Sequence, residues 1–230
     1  MFYDLHVHTD LSIGENSLEE MVEFAKRLSI NAIGVVQYFP DVAEVPDFEG
    51  IDTVECIMIK PRDASELNDL AAQARDKCEV LMVHGGDYEI NRAACENALV
   101  DVLCHPELGR KDSGLDHVCA KAAADNHVAI EMNFREILES TKKSRAYVLA
   151  AMKKNIMLAK KYGCAIVTTS GAVTKWDMRS CRELASVANL LGLDLGYAID
   201  TTSAVPEAIV RHNREKLAGE RWQGVRLERK

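Results

Sequence analysis

Residues 80–107 read VLMVHGGDYEINRAACENALVDVLCHPE. An apolar run, Val80–Val83, ends in His84 and a Gly-Gly-Asp turn, helical spacing follows over Ile90–Asn97, and a second apolar run, Val100–Cys104, ends in His105. Neither run alternates apolar with polar residues. That pattern predicts parallel strands buried on both faces, because a parallel pair needs a crossover and the crossover helix covers the sheet. The same unit recurs outward in both directions. Further strands are expected at Phe2–Val7, Ala32–Val36, Val54–Ile59, Val128–Met132 and Ala165–Thr168. Helices are expected at Ser17–Leu28, Ala64–Lys77, Asp116–Asp125, Arg145–Tyr162 and Arg179–Leu191, and a last one opens at Pro206 and runs through Glu207–Leu217. Seven strand–helix units without a Pro/Gly/Ser-rich linker predict one α/β domain over 1–230, a TIM-type (β/α) barrel of about seven parallel strands. The competing doubly wound sheet lacks support, since no G-x-G-x-x-G turn follows the first strand and no G-x-x-x-x-G-K-[ST] loop occurs. A basic tail over 218–230 is expected to be loose.

The chain has 230 residues, 47% of them hydrophobic and only 13 Gly and 5 Pro, which suits a single buried core and excludes hormone, fibrous and disordered classes. No apolar run reaches the roughly 18 residues that span a bilayer. The start, MFYDLHVHTD, lacks the features of a secretory signal, so a cytoplasmic location is expected. Seven cysteines without a CxxC pair read as reduced packing residues. Net charge is −8, which for the whole chain argues against nucleic acid, but the average conceals a division. Residues 1–100 hold 7 Lys/Arg against 20 Asp/Glu, whereas 142–182 holds ten Lys/Arg against Asp177 alone. That block exceeds what solubility requires.

In a barrel the C-terminal ends of the strands gather at one mouth. His6 and His8 flank Val7 at the end of the first strand, and His84 and His105 end the fourth and fifth. Converging imidazoles there suit Zn or a similar ion, although each His alone reads equally as a half-buried side chain bonded to backbone. Glu131 and Asn133 end the sixth strand, able to bind either a metal or an Arg. Gly85-Gly86 reads as a tight turn or, less directly, as an anion nest.

DLHVHTD and CHPE resemble the polymerase-and-histidinol-phosphatase (PHP) family of metal-dependent phosphoesterase barrels. That resemblance implies a T-D-H after the second strand and an S-D-A-H near the seventh. This chain has Val36-Gln37-Tyr38 and Ser170-Gly171-Ala172-Val173, so Tyr38, Gly171 and Val173 stand at three ligand positions. A second resemblance covers nearly the whole chain. VHGGDYEINRAA (83–94), HPELGRKDSGLDH (105–117), VAIEMNFR (128–135), TSGAVTKWDMRSCRELA (169–185) and VPEAIVRHNREKL (205–217) are similar to the archaeal ribonuclease P protein component 3 family, a PHP-like barrel recruited into a ribonucleoprotein. The likeness implies a subunit of the endonuclease that removes the 5′ leader from precursor tRNA. Hydrolysis would belong to the RNA subunit and its Mg²⁺, with no cofactor and no catalytic residue on this chain. His6, His8, His84 and His105 would be a vestigial metal set, with residual Zn or Mn the exception. Implied partners are ribonuclease P RNA, protein component 2 in a dimer of heterodimers and, indirectly, precursor tRNA, with no membrane. The alternative is a PHP-type phosphoesterase acting on a small phosphate ester with those four histidines as ligands.

Binding RNA requires cations on one surface. Arg92, Arg110, Lys111, Lys175, Arg179 and Arg182 follow strand ends and are the expected RNA contacts. Pairing with Asp87, Asp112, Asp116, Asp177 or Glu183 is the competing role, Arg179–Glu183 being an i,i+4 helix pair. Lys142, Lys143, Lys153, Lys154, Lys160 and Lys161 decorate the outside of one long helix, and Trp176 reads as a packing residue.

Overall fold

The computed structural model describes residues 1–219, 221–222 and 225–226. Arg221–Trp222 pairs antiparallel with Val225–Arg226, and the remainder of the tail expected over 218–230 lies outside the described residues. Seven strands, β1 (Tyr3–Val7), β2 (Ala32–Tyr38), β3 (Asp52–Ile59), β4 (Val80–His84), β5 (Val102–Cys104), β6 (Ala129–Asn133) and β7 (Ile166–Thr169), form one sheet in chain order. Each neighbouring pair is parallel. The helices are α1 (Leu18–Arg27), α2 (Ala64–Ala74), α3 (Tyr88–Glu96), α4 (His117–Asp125), α5 (Phe134–Glu139), α6 (Lys142–Tyr162), α7 (Cys181–Leu191), α8 (Leu195–Asp200) and α9 (Ala204–Leu217). Among the described residues no helix is long and apolar enough to cross a membrane.

The sheet curls into a barrel whose seam lies between β7 and β1. At one end of the seam Tyr3 N donates to Thr202 O at 2.8 Å, and at the other His8 N donates to Ala172 O at 2.8 Å beside a Val7–Ala172 bridge. Between them the buried Asp4 carboxylate accepts from Ser170 N at 3.0 Å. Strand alternation divides the core. Val80 and Met82 of β4 face the interior with Leu5, Met58, Val102 and Val167, while Leu81 and Val83 face the helices. Val210 of α9 plugs the interior from the strand N-termini.

The expected strands form with ends moved by one or two residues. Three features differ from the reading of the sequence. β2 leads to β3 through residues 39–51 without a helix, in a stretch that carries Pro40, Pro46 and Gly50. Two six-residue helices, α5 and α8, are too short to show periodicity and are started by side chains. Asn133 accepts from Arg135 N, and Asp194 accepts from Tyr197 N. All seven cysteines are buried and unpaired, as their contexts indicate.

Candidate functional site

The mouth is assembled from strand ends. In β1 the register shifts between Asp4 and Val7, and Tyr3 and Leu5 face the interior in one layer while His6 and His8 face it in the next. β6 brings Glu131 and Asn133 inward, β4 ends on His84, and His105 follows β5 with a φ of +33°. All four expected histidines therefore converge. His6 and His8 ring centroids lie 4.9 Å apart, His6 and His105 5.9 Å, and His84 and His105 4.5 Å. A cavity of about 510 Å³ opens above them.

Glu131 organises the cluster. It is 1% exposed and accepts four hydrogen bonds. His6 Nδ1 (2.6 Å) and the Thr169 hydroxyl (2.6 Å) donate to Oε1, and His105 N (3.0 Å) and Asn133 Nδ2 (3.3 Å) donate to Oε2. Burial works to raise its pKa, but His6 opposite it and these donors hold the carboxyl well below the usual carboxylate range. A carboxylate so held is an acceptor only, which makes His6 Nδ1 the donor. The far end of the chain fixes the rest. Ser12 Oγ donates to Val36 O at 2.7 Å, leaving its oxygen to accept from His8 Nδ1 at 3.2 Å. Burial lowers the His8 pKa to about 3, so the ring is neutral, and its Nε2 lies 3.1 Å from His6 Nε2. His6 thus bridges the Glu131 carboxylate and the His8 ring. Tyr38 closes this wall by stacking on His8 at 5.8 Å and 7°.

The donor set decides whether a PHP-type metal centre fits. Ligand atoms of His6, His105 and Glu131 lie within 4.8 Å of one another. Glu131, His6 and His8, however, already spend their polar atoms on each other, and His84 Nδ1 donates to Gly85 O at 3.1 Å. His105 alone keeps both nitrogens unpartnered. The three divergent positions add nothing: Tyr38 covers His8, Val173 brings no ligand atom, and Gly171 sits at φ +63°, where a Cβ would stand 2.2 Å from Asn133 Oδ1. Lys60, after β3, and Arg135 bring cations to the cavity wall. These residues do not fit a resident multi-metal centre.

Lys60, Arg135, Glu136, Thr169 and Ser12 belong to the mouth and were not singled out in the sequence. Lys60 had a signal, its place directly after the apolar run Val54–Ile59, the same rule that locates His84. Glu136 has its pKa raised to about 7 by burial, with Glu131 and Glu139 adding to it.

The six expected RNA contacts divide. Arg92 pairs with Glu96 (2.9 Å), Arg110 with Asp112 (2.6 Å) and Lys175 with Glu20 (2.6 Å). Arg179 donates to the carbonyls of Trp176 and Met178 and lies over the Phe134 ring, while Glu183 caps Ser180 instead of pairing with it. Lys111 and Arg182 are exposed and form no ion pair among the described residues. Trp176 is 69% exposed with its ring edge against Phe24, so packing is not its main role.

A family model described as RNase P subunit p30 matches residues 1–218. Ribonuclease P protein component 3 of Methanosarcina mazei is 36% identical over 217 residues, 93% of this chain and 90% of that protein. The protein of the same name from Methanocaldococcus jannaschii is 33% identical over 79% of this chain and 82% of its own length. Among solved structures, a chain of archaeal ribonuclease P with mature tRNA, seen by cryo-EM, superposes with a TM-score of 0.79 at 27% identity over 98% of both chains. Histidinol phosphate phosphatase from Lactococcus lactis, complexed with zinc, L-histidinol and phosphate, reaches a TM-score of 0.52 at 12% identity over 92% of this chain and 93% of that one, a likeness of fold alone. With the family model spanning all but the last residues and relatives above 30% identity along most of their length, the chain belongs to the RNase P subunit p30 family, that of ribonuclease P protein component 3.

Proposed function

We propose that the chain serves ribonuclease P as a noncatalytic protein subunit that binds and supports the RNA, which itself uses Mg²⁺ to remove the 5′ leader from precursor tRNA. Protein component 2 is its partner, in a dimer of heterodimers. The observation that carries the noncatalytic part is the saturation of Glu131. A carboxylate holding four internal donors has no lone pair directed at a substrate or a water, and neither His6 nor His8 keeps a free nitrogen to act as a base. On this reading the Glu131–His6–His8 side of the mouth serves as structure.

Arg92, Arg110, Lys111, Lys175, Arg179 and Arg182 are proposed to contact RNA, with Lys111 and Arg182 foremost because no carboxylate has to be displaced from them. Reconstitution tests the reading. The chain with component 2 should lower the Mg²⁺ needed by the cognate RNA to cleave precursor tRNA, and the isolated chain should hold no stoichiometric metal and hydrolyse no phosphate ester. A chain that retains Zn or Mn and cleaves a phosphate ester by itself would reverse the assignment.

A further inference from the structure

The basic block of the sequence resolves into a regular surface on α6. This helix of 21 residues contains no Asp or Glu and six lysines, all exposed. Their spacing, 11 residues and then 7, is the informative feature. At about 100° per residue, 11 steps end roughly 20° past three turns and 7 steps roughly 20° short of two. Lys142, Lys153 and Lys160 therefore fall in one row, and Lys143, Lys154 and Lys161 in a second row about 100° around the helix. Each row extends over roughly 27 Å. Ala146, Ala150 and Met157, also exposed, occupy the strip between them.

None of the six lysines forms an ion pair with the described residues. Lys160 donates to Gly192 O at 3.1 Å, and Lys143 and Lys161 lie over the rings of Tyr147 and Tyr162 at 5.6 and 5.3 Å. The helix packs on the 105–117 loop. Asn155, on the buried side of α6, donates to Ser113 O at 3.0 Å and docks that loop on the helix, where Arg110 pairs with Asp112 and Lys111 is exposed without an ion pair among the described residues. Lys160 and Lys161 suit the negative end of the helix dipole, but folding gives no reason for the lysines at its start. Lys142 and Lys143 sit at the positive end of the helix dipole, Thr141 makes no side-chain cap bond, and Lys142 takes a φ of +48°.

We propose that these two lysine rows on α6, extended by Lys111, grip the phosphodiester backbone of structured RNA; this rests on the RNA-subunit reading and places its main electrostatic contact away from the mouth. A polyanion with regularly spaced charge matches aligned, unpaired cations. An acidic protein partner fits less well, because protein interfaces concentrate their affinity in a buried apolar or aromatic centre, and the strip between the rows offers two alanines and one methionine.

The test uses the full chain, alone and with component 2, binding in vitro transcribed ribonuclease P RNA over a salt series. The variant K153Q/K154Q/K160Q/K161Q is compared with a charge-matched control on the acidic half, K26Q/R27Q/R62Q/K77Q, with thermal melts showing that both are folded. If the rows bind phosphates, the α6 variant makes the slope of log affinity against log salt shallower by about 2 to 3 and weakens binding at least tenfold, while the control changes the slope by less than about 1. An α6 variant that keeps wild-type affinity and slope overturns the proposal and leaves the RNA-subunit reading standing; the face would then belong to an acidic protein. Equal effects from both variants also overturn it, since net charge rather than this surface would be responsible. A wild-type chain that binds no RNA under either condition refutes the underlying reading together with the proposal.

Discussion

The mouth of the barrel and the outer face of α6 each gather ionisable groups, and they are built on opposite terms. At the mouth the central charges are answered: Glu131 meets His6, Arg135 pairs with Glu139 at 2.6 Å, and the hydroxyls and amides between them complete the network. On α6 no lysine forms an ion pair with the described residues. The mouth carries the residues that look like chemistry, and α6 carries lysines that look like ordinary surface. What separates a site that acts on a partner from one that stabilises a fold is therefore whether its polar atoms are already spent, not which residue types it contains.

If that contrast is right, the two regions respond oppositely to mutation. Glu131→Gln replaces the acceptor shared by His6 Nδ1, the Thr169 hydroxyl, His105 N and Asn133 Nδ2 with an amide whose NH2 faces buried donors, so it should cost about 3 kcal/mol in urea unfolding. Each of Lys153→Gln and Lys154→Gln should change stability by less than about 0.5 kcal/mol. A folded E131Q chain with wild-type stability would mean that the network is slack and could open to a ligand.

Buried carboxyls near the mouth extend the contrast to pH. Burial raises the Glu107 pKa from 4.5 to about 8, with Oε1 unpartnered and Asn155 only 3.4 Å from Oε2. The folded chain thus binds this proton more tightly than the unfolded chain, and the Glu107 contribution to stability is lost as pH rises from about 4.5 to 8. His8 and His105, both lowered to about 3 by burial, act in the other direction and favour the folded state as pH rises toward 6.5. Subtraction isolates the first term. Relative to Glu107→Gln, the native chain should lose on the order of 3 kcal/mol between pH 5 and 7.5, read from paired denaturation curves. Parallel curves would show that Glu107 is already ionised or solvated.

Gly171 tests how tightly the mouth is packed where metal enzymes of this fold carry an acid. Gly171→Ala should destabilise by about 1–3 kcal/mol, since its φ is +63° and the new Cβ meets Asn133 Oδ1. Combining it with Asn133→Ala should recover the steric part and not the backbone part, giving a non-additive double-mutant cycle. Full additivity would place the two residues out of contact.

The fold was largely legible because most strands are nearly continuous apolar runs with polar residues at or just after their ends, and that rule located His6, His8, His84 and His105 together. No helix was placed between the second and third strands, and Pro40, Pro46 and Gly50 account for its absence, but the count of seven strand–helix units passed over it; α5 and α8 are too short to show a helical period. The partners of Glu131 could not be read from one dimension: Thr169 and His6 lie 38 and 125 residues away, and their meeting depends on closure of the barrel. For the same reason the sequence could list Arg92, Arg110 and Lys175 as cations but not show that Glu96, Asp112 and Glu20 hold them. The α6 rows, by contrast, follow from spacing alone once the helix is granted, and only their freedom from ion pairs needed the structure.

The smallest effect discriminates most sharply between stability and function. Lys142 and Lys143 stand where the helix dipole favours acids, so Lys143→Glu should stabilise the fold by about 0.3–1 kcal/mol. The same substitution removes one row's first cation and adds a negative charge, and should weaken RNA binding with a shallower salt slope. Stability and affinity moving in opposite directions is a result that packing cannot produce, because a residue retained for the fold would lose both or neither. A Lys143→Glu chain that is more stable and binds RNA as well as the native one would show that the α6 lysines are solvated surface, and the distinction between the two regions would rest on the mouth alone.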